Sequence, residues 1–279
     1  MALVSVIVPT KNSASFLELC LGSIKNQTYS PIEIVVVDNY STDATLAIAR
    51  RYTPKVFVHG PERSAQVNYG VQQSTGDYVY KVDSDFVLDR NVIASCLAVL
   101  QQGFDAIVVH NSPDVNAGWI ARIRKFEVDM YKYDLTHSSA RFMSKQVFES
   151  IGGFDETITA GEDYDFQNRL NAAGFRIGFV APEALHLGEP RSLWKHLAKY
   201  FEYGEDFVTY AARNPVASRV QLRFVRSVYL RNWRRFAAHP LLATGFTMYH
   251  FAKYLAGGIG FALGTIRLRL GRRSNARSG

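Results

Sequence analysis

The stretch Gly76-Asp-Tyr-Val-Tyr-Lys-Val-Asp83-Ser-Asp85 runs an apolar strand pattern directly into two carboxylates. Residues i and i+2 of an extended chain project from the same face, so Asp83 and Asp85 can reach one hard divalent cation that carries a diphosphate. The alternative is a solvated turn, because Asp and Ser favour turns. A second strand pattern, residues 32–38, also ends in a carboxylate. Two strands that end in acids suggest one shared crevice.

The N-terminal part of the chain alternates strand and helix patterns. Residues 3–9 are a near-continuous apolar run, as expected of a strand covered on both faces. Residues 14–26 and 42–52 place apolar residues at helical spacing. This order predicts an α/β fold with a mostly parallel, nucleotide-binding sheet flanked by helices, which binds ligands beyond the carboxyl ends of its strands. Neither common Gly-rich phosphate loop follows the first strand, which argues against a dehydrogenase or a P-loop ATPase.

Five short motifs follow one another along residues 3–205. They are Ser5-Val-Ile-Val-Pro9-Thr-Lys-Asn12, Val35-Val-Val-Asp38-Asn-Tyr-Ser-Thr-Asp43, Asp83-Ser-Asp85, Gly152-Gly-Phe-Asp155-Glu and Gly161-Glu162-Asp163-Tyr-Asp-Phe. Each motif alone is weak, but the five in this order resemble the family-2 nucleotide-sugar glycosyltransferases, and among them the compact membrane-bound mannosyltransferases. That resemblance implies the A-type glycosyltransferase fold.

The resemblance also implies where a nucleotide-sugar donor binds. Asp38 would accept hydrogen bonds from the nucleobase, a sensible role for a carboxylate, and Pro9 and Thr10 would line the base and ribose pocket. Asp85 would ligate Mn²⁺ or Mg²⁺, which neutralises the diphosphate leaving group, while Asp83 would contact ribose or a metal-bound water. The other donor-binding residues implied in this way are Asn12, Arg63, Asn68 and Ser84.

Three of these expectations have structural alternatives. Asp38 can cap a turn instead of meeting a base. Arg63 can pair with phosphate or can stand at a solvated helix start. His186, which follows a strand pattern at residues 177–180, would complete the metal site in many relatives, where imidazole suits Mn²⁺ better than Mg²⁺. Its alternative is a loop histidine without a ligand role.

The Glu-Asp pair at residues 162–163 opens a helix pattern and carries the acceptor side of the resemblance. Asp163 maps to the general base that deprotonates the acceptor hydroxyl, although carboxylates at a helix N-terminus often only cap it. One base opposite a metal-held leaving group implies a single in-line displacement and inversion at the anomeric carbon. Glu162 and Arg141 are expected to contact the acceptor or to support the residues that do.

The segment after residue 192 lacks the Gln-x-x-Arg-Trp signature of polymerising relatives. Its absence favours the addition of one sugar over polymer synthesis. Lys195 and Lys199 lie in the corresponding place, and either is a candidate to touch the diphosphate.

Charge divides the chain unevenly. Residues 213–279 contain 13 Lys and Arg and no Asp or Glu, whereas residues 1–212 hold the other 19 basic residues and all 25 acidic ones. We therefore expect a catalytic domain over 1–212 and a basic segment over 213–279 whose partner is anionic, either nucleic acid or a membrane.

Three features of the basic segment favour a membrane. Residues 216–238 mix arginines with aromatic and aliphatic residues, which is typical of an interfacial helix. Residues 241–266 are mostly apolar, are long enough to cross a bilayer and are flanked by arginines. Against a clean span stand Lys253, Pro240 and the glycine pair 257–258. A tilted transmembrane helix, a pair of in-plane helices and a soluble helical subdomain therefore stay open.

The family resemblance implies a metal-dependent, inverting glycosyltransferase, and the basic segment predicts that it is membrane-associated and has no nucleic-acid partner. The best match is transfer of one mannose from GDP-mannose to a polyprenyl-phosphate-linked glycan, with a UDP-hexose as the alternative donor. Direct transfer to polyprenyl phosphate and a non-catalytic sugar-nucleotide-binding scaffold are the other hypotheses. The opening apolar run is too short for a signal peptide, so the catalytic domain is expected on the cytoplasmic side.

Overall fold

A computed structural model describes residues 1–275 of the chain. Its strands are β1 (Val4–Thr10), β2 (Ile32–Asp38), β3 (Val56–Val58), β4 (Tyr78–Lys81), β5 (Phe86–Leu88), β6 (Ala106–Val108), β7 (Asn111–Pro113), β8 (Phe142–Ser144), β9 (Ile177–Phe179) and β10 (Ala184–His186). Its helices are α1 (Ala14–Lys25), α2 (Thr45–Tyr52), α3 (Arg63–Gln73), α4 (Val92–Leu100), α5 (Trp119–Val128), α6 (Lys145–Ser150), α7 (Glu162–Ala172), α8 (Leu193–Arg213), α9 (Pro215–Gln221), α10 (Ser227–Arg231), α11 (Trp233–Ala238) and α12 (Pro240–Asn275). Short 3-10 turns at Val115–Ala117 and Asp129–Tyr131 flank α5.

The chain forms two compact units. Unit 1 consists of Met1–Asp114, Tyr131–Thr157 and Asp163–Glu189, and unit 2 consists of Val115–Met130, Ile158–Glu162 and the described residues from Pro190 onward. This division differs from the boundary expected at residue 213. The physical reason is that α8 packs along α12 and α5 also contacts α12, so both belong with the C-terminal helices.

Unit 1 contains the predicted α/β sheet. Seven strands lie in the order β3-β2-β1-β4-β8-β6-β9, and only β8 runs antiparallel to its neighbours. The parallel pairs align the ends of β1 and β2, so that Thr10 lies opposite Asp38. The sheet thus brings the carboxyl ends of its central strands to one edge, as the sequence predicts.

The apolar residues of β1 explain why this strand lies in the interior of the sheet. Val4, Val6 and Val8 pack into a core with α1 and α4 on one face, whereas Ile7 packs into a core with α3 and α7 on the other. All seven residues of the strand are buried. A strand covered on both faces requires the continuous apolar run that the sequence shows.

A second, three-stranded sheet in unit 1 follows the acidic motif. Its order is β5-β10-β7, and His186 on β10 lies opposite Phe86 on β5. Because Asp85 immediately precedes β5, this pairing brings Asp85 and His186 together although 101 residues separate them in the chain.

Unit 2 is helical among the residues that the structure describes. Its longest pair, α8 and α12, approach backbone to backbone: a Cβ added at Gly260 would lie 2.0 Å from the Phe201 carbonyl oxygen, and one at Gly264 would lie 2.5 Å from that of Glu205. Only glycine permits such close helix packing here, because any side chain would overlap the partner's backbone.

The transmembrane helix considered for residues 241–266 is not supported. Within the described part of the chain, no helix combines the length and the apolar composition needed to cross a membrane. The segment is helical, but His250, Lys253 and several Thr and Gly residues lower its mean hydropathy.

Candidate active site

Four charged side chains of unit 1 form a largely buried cluster where β4 ends, with Asp163 the most exposed of them at 29%. Lys81, the last residue of β4, donates from Nζ to Asp163 Oδ1 at 2.7 Å. Arg141, just before the neighbouring β8, donates from Nη1 to Asp83 Oδ2 at 2.7 Å and from Nη2 to Asp163 Oδ2 at 3.5 Å. The antiparallel pairing of β4 and β8 positions the two cations side by side, since the Lys81 backbone N–H donates to the Arg141 carbonyl oxygen.

Charge pairing keeps both carboxylates of this cluster ionised. Burial acts to raise the pKa of Asp83, but Arg141, Lys81 and Arg63 outweigh it and hold that pKa far below its ordinary value. The pKa of Asp163 is likewise lowered, because Lys81 and Arg141 outweigh the effect of burial. Both groups therefore carry a negative charge throughout the neutral range.

Asp83 keeps one oxygen for a further partner. Its Oδ1 atom is buried, accepts no hydrogen bond within the described residues and lies 3.6 Å from Arg63 Nη1. A buried carboxylate oxygen without a hydrogen bond is costly, which favours a ligand at this point. The expected contacts of Asp83 with ribose or metal-bound water, and of Arg63 with phosphate, stay predictions that this geometry permits.

Asp85 and His186 form the second part of the site. His186 Nε2 lies 3.0 Å from Asp85 Oδ2, and its Nδ1 lies 2.6 Å from Glu189 Oε1. Burial acts to lower the pKa of His186, but hydrogen bonds with Asp85 and Glu189 raise it to about 9. Gly188 permits this arrangement, because an added Cβ would lie 2.1 Å from Asp85 Oδ2.

This donor set fits a divalent cation that is completed by its substrate. No group of three or more His, Cys, Asp or Glu side chains within residues 1–275 is arranged to hold a metal ion by itself. Mg²⁺ and Mn²⁺ sites in nucleotide enzymes commonly use one or two protein ligands together with substrate phosphates. Asp85 and His186 supply one carboxylate oxygen and one imidazole nitrogen at adjacent positions, which suits that pattern.

Both carboxylate oxygens of Asp38 already accept hydrogen bonds from other residues of the chain. Oδ1 accepts hydrogen bonds from Thr10 Oγ1 at 2.9 Å and Ser41 Oγ at 2.5 Å, and Oδ2 accepts one from the Ser41 backbone N–H at 2.7 Å. The side chain has no exposed surface. This geometry matches the turn-capping alternative, and the nucleobase role of Asp38 stays a prediction.

Asn68 has a structural role that the sequence did not indicate. Its Nδ2 donates to the Phe154 carbonyl oxygen and to Glu156 Oε1, and its Oδ1 accepts from the Phe154 backbone N–H, each at 2.9 Å. Gly153 is required beside it, since an added Cβ would lie 2.6 Å from Asn68 Oδ1. Asn68 therefore holds the loop after α6 in place, and its expected contact with the nucleotide stays a prediction.

The other expected donor residues lie around the ends of β1 and β4. Pro9 and Thr10 are buried in β1, and Thr10 contacts Asp38. Asn12 accepts a hydrogen bond from the Thr42 backbone N–H at 2.9 Å, and Ser84 Oγ lies 2.8 Å from Ser13 Oγ. The structure thus brings these four residues to the strand edge that also holds Asp83 and Asp85.

Three expected residues belong to unit 2. Glu162 is buried as the first residue of α7. Lys195 and Lys199 are exposed on α8, and Lys199 Nζ lies 5.3 Å from the centre of the Tyr203 ring. Their roles towards acceptor and diphosphate stay predictions.

Lys81 is the residue of this candidate site that the sequence analysis does not name. A lysine buried at 5% exposure in a central strand needs a negatively charged partner. The sequence signal was its place two residues before Asp83 inside an otherwise apolar strand. Its partner, Asp163, lies 82 residues away in the chain, which a strand pattern cannot reveal.

Comparison with known proteins identifies the family. The model described as "Glycosyl transferase family 2" matches residues 5–152, more than half of the chain. The chain belongs to this family. A glycosyltransferase of PGL/p-HBAD biosynthesis from Mycobacterium tuberculosis is 26% identical and covers 85% of this chain and 93% of its own. An uncharacterised glycosyltransferase of Rickettsia typhi is 24% identical and covers 83% of each chain.

Solved structures of other glycosyltransferases share the fold. A mannosyltransferase from Pyrobaculum calidifontis, in complex with GDP-Man and Mn²⁺, superposes with a TM-score of 0.65 at 20% identity and covers 93% of this chain and 86% of its own. TarS of S. aureus with UDP-GlcNAc gives a TM-score of 0.52 at 21% identity, covering 75% and 67%. The glycosyltransferase fold and the enzyme class predicted from the sequence are confirmed.

Proposed function

We propose that this family-2 glycosyltransferase transfers one hexose from a nucleotide-diphosphate sugar, best matched by GDP-mannose, to a lipid-linked glycan acceptor, with inversion and with a divalent cation. The observation that supports the proposal most directly is the cluster of Lys81, Arg141, Asp83 and Asp163 beside the Asp85–His186 pair. It combines an ionised candidate base with a donor set for a phosphate-bound cation in one unit of the fold.

Asp163 is the group of this chain proposed to take the acceptor's proton. Its carboxylate is ionised, and about 29% of its side-chain surface is exposed, so a hydroxyl can reach it. Lys81 occupies Oδ1 at 2.7 Å, whereas the contact of Oδ2 with Arg141 is longer, at 3.5 Å. Oδ2 is therefore the oxygen better placed to accept a proton.

Lys81 and Arg141 also limit how strong a base Asp163 can be. A carboxylate whose pKa is lowered by adjacent cations binds a proton less well than a free one. The same contacts hold the carboxylate in one orientation, because both of its oxygens have a cationic partner. These contacts thus fix the position of the Asp163 carboxylate and also lower its basicity. Lys81 contributes to both effects.

Asp85 and His186 would hold the cation. When bound, it would supply positive charge to the diphosphate leaving group. Arg63, 3.6 Å from Asp83 Oδ1, is the cationic side chain of this chain proposed to meet the phosphate oxygens. The deeply buried Asp83 Oδ1 would accept from the ribose or a water at the same point.

The similarities to other proteins support parts of this proposal to different degrees. The Pyrobaculum mannosyltransferase covers most of the chain and was solved with GDP-Man and Mn²⁺, which supports GDP-mannose and a metal. The TarS complex with UDP-GlcNAc supports a UDP-sugar as the second candidate donor, over a smaller share of the chain. The Mycobacterium relative named for PGL/p-HBAD biosynthesis supports an acceptor in lipid or glycan assembly.

A panel of nucleotide diphosphates tests donor and metal together. Thermal unfolding of the full chain is measured with GDP, UDP or ADP, each with and without Mn²⁺. We expect the largest rise in Tm with GDP plus Mn²⁺, because a ligand that binds only the folded protein stabilises it more, at a given concentration, the more tightly it binds. A larger shift with UDP would replace GDP-mannose by a UDP-sugar, and equal shifts with and without Mn²⁺ would contradict the metal.

A further inference from the structure

Helix α12 in unit 2 buries two basic residues and exposes a row of apolar ones. His250 and Lys253 are buried at 3% and 6% exposure beside the buried Phe246 and Tyr249, whereas Arg267 and Arg269 near the end of the helix are exposed. On the opposite face, Phe251 and Leu255 are more than half exposed. Helices of water-soluble proteins normally turn apolar residues inward and charged residues outward. The arrangement needs an apolar partner for the outer face.

The outer face is a continuous apolar stripe. From Met248 onward its members recur at spacings of three and four residues, and Leu241 lies two helical turns before Met248, so they share one side of the helix. We call this set the α12 stripe: Leu241, Met248, Phe251, Leu255, Ile259, Leu263, Ile266 and Leu270, all exposed. From first to last they span 29 residue steps, or about 44 Å at 1.5 Å per residue.

The inner face explains why a lysine lies in this helix. Lys253 Nζ donates to both oxygens of Glu127 on α5, at 2.7 and 2.8 Å, and Tyr229 Oη lies 3.3 Å from the same carboxylate. His250 Nε2 lies 2.9 Å from the Phe224 carbonyl oxygen. Lys253, the charged residue of α12 between Pro240 and Ile266, is thus paired inside unit 2, and none of the stripe residues is charged.

Charge around the stripe indicates the kind of partner. Exposed arginines of unit 2 occur from the end of α8 to α11 and again on α12 after the apolar run: Arg213, Arg219, Arg223, Arg231, Arg234, Arg267 and Arg269. No acidic residue occurs after Asp206. Exposed aromatic residues accompany the arginines, among them Trp194 and Trp233. Apolar residues, interfacial aromatics and arginines together are the features of surfaces that lie on anionic lipid.

We propose that the α12 stripe contacts an anionic lipid surface, with the helix lying along that surface. A second copy of the chain is a poorer occupant, because it would bring a second set of arginines and no acidic residues from this segment against the first. The inference rests on the proposed function in one respect: a lipid-linked acceptor lies in a lipid surface, and the α12 stripe would bind the enzyme to such a surface. It is tested without donor or acceptor, so its failure is distinguishable from failure of the proposed function.

Vesicle binding tests the stripe directly. The full chain is mixed with vesicles of phosphatidylcholine, with or without one-third phosphatidylglycerol, and the bound fraction is measured by flotation. We expect binding to the anionic vesicles that high salt weakens but does not abolish, because salt screens the arginines and not the apolar contact. The double variant F251D/L255D should bind about a hundredfold more weakly, since each of the two inserted side chains contributes about a factor of ten.

A matched substitution separates the stripe from a general effect of added charge. Leu19 on α1 in unit 1 is 58% exposed, close to the 56% of Leu255. Leu19→Asp should leave vesicle binding unchanged, whereas Leu255→Asp alone should weaken it. Equal binding by the parent chain, Leu255→Asp and F251D/L255D would overturn the proposal. So would failure of the parent chain to bind anionic vesicles at all.

Two further measurements keep the test decisive if a variant folds poorly. All three tryptophans of the chain, Trp119, Trp194 and Trp233, lie exposed in unit 2. In the unaltered chain, vesicles with brominated acyl chains should quench their fluorescence, and absence of quenching would contradict the contact. Lipid-free self-association that Leu255→Asp abolishes would instead assign the stripe to a second copy and overturn the lipid surface.

Discussion

Lys81 Nζ donates a hydrogen bond to Asp163 Oδ1 at 2.7 Å, and the two residues come from the end of a central strand and the start of a helix 82 residues later. The lysine also lies 4.9 Å from the centre of the Phe154 ring, so it is held between an aromatic face and a carboxylate. This pair links the sheet edge that carries the acidic motif to the candidate base. The basicity of Asp163 therefore depends on Lys81, the last residue of β4.

Substituting Lys81 by methionine should change the pH dependence of the reaction. The pKa of Asp163 is lowered in the folded protein, so the base is active at neutral pH and is lost only as pH falls through that lowered pKa. Without Lys81 the pKa rises, and the acid limb of the kcat/KM profile should move to higher pH. The measurement is kcat/KM from pH 4 to 9.

Lys145→Met is the matched control for this variant, since Lys145 also lies in unit 1 but donates only to the Ser74 carbonyl oxygen at 2.8 Å. Its acid limb should coincide with that of the parent enzyme. A Lys81→Met profile that is lower in height but unshifted in pH would mean that Lys81 supports the fold and does not set the basicity of Asp163.

Replacing Asp163 by asparagine should remove the base with little change of shape. Turnover should fall by about 10²–10⁴, the usual contribution of a positioned proton acceptor. Binding of the nucleotide diphosphate should persist, because the implied donor contacts lie at Arg63, Asp83 and Asp85. Titration calorimetry and initial rates, measured on the same preparation, separate the two effects. Weakened nucleotide binding with unchanged turnover would reassign Asp163 to a helix-capping role.

The sequence predicts the sheet edge well because the signal is local. The runs at residues 3–9 and 32–38 are apolar on both faces, and a strand buried on both sides allows little else. The acids that follow β2 and β4 then lie at one edge for topological reasons. The candidate ligands Asp85 and His186 were paired through the family resemblance, and the β5–β10 pairing provides the physical basis.

The partners of buried polar residues could not be predicted in this way. Asn68 lies on α3, and nothing near it in sequence shows that its amide fastens Phe154, 86 residues later. Likewise, the acidic partner of Lys253 is Glu127 on α5, 126 residues earlier. In the sequence, Lys253 is a charged residue that interrupts an apolar segment. In the structure, it is one partner of a buried ion pair. Such contacts depend on which elements pack together, which periodicity does not specify.

The role of Asn68 can be decided by stability. Asn68→Ala removes three hydrogen bonds to the loop after α6 and should lower the free energy of unfolding by about 2–3 kcal/mol. Affinity for nucleotide should change little. Urea unfolding and calorimetry measure the two quantities, with Gln101→Ala, at an exposed position after α4, as the control. Unchanged stability together with lost nucleotide binding would restore the donor-contact role expected from the family resemblance.

Metal binding should depend on Asp85 and not on Asp89, four residues later in the chain. Asp85→Asn should abolish the Mn²⁺-dependent gain in nucleotide affinity, because a neutral amide is a poor ligand for a hard cation. Asp89→Asn is the control, since Asp89 lies in the same stretch but accepts from the Asn91 backbone N–H at 2.8 Å. The readout is calorimetric titration of GDP with and without Mn²⁺. Full Mn²⁺ dependence in Asp85→Asn would exclude Asp85 as a ligand.

The buried pair of Glu127 and Lys253 should make unit 2 sensitive to acid. Burial acts to raise the pKa of Glu127, but Lys253 outweighs it and lowers that pKa from 4.5 to about 2. A carboxyl group with a lowered pKa stabilises the folded state above pH 4.5 and loses that contribution as pH falls towards 2. The loss should be on the order of 3 kcal/mol over this range.

His250 acts in the same direction at higher pH. Burial and Lys253 lower its pKa from 6.5 to about 4, so the folded imidazole stays neutral while the unfolded one takes up a proton below pH 6.5. The free energy of unfolding should therefore fall from pH 6.5 to 4.5 through His250, and from pH 4.5 to 2 mainly through Glu127. Urea unfolding followed by tryptophan fluorescence reports on unit 2, which contains all three tryptophans.

Substitutions of Glu127 and Lys253 should separate the contribution of Glu127 below pH 4.5 from that of His250 between pH 6.5 and 4.5. Glu127→Gln leaves Lys253 buried without its counter-charge and should cost about 3–5 kcal/mol at pH 7, while removing the dependence on pH below 4.5. The double variant E127L/K253M replaces both charges by apolar groups and should recover much of that loss, because the cost of a single substitution is that of an unpaired buried charge. The fall between pH 6.5 and 4.5 should persist in Glu127→Gln, since His250 is intact. A double variant no more stable than Glu127→Gln would show that the ion pair itself stabilises the fold, and not only that an unpaired buried charge is costly.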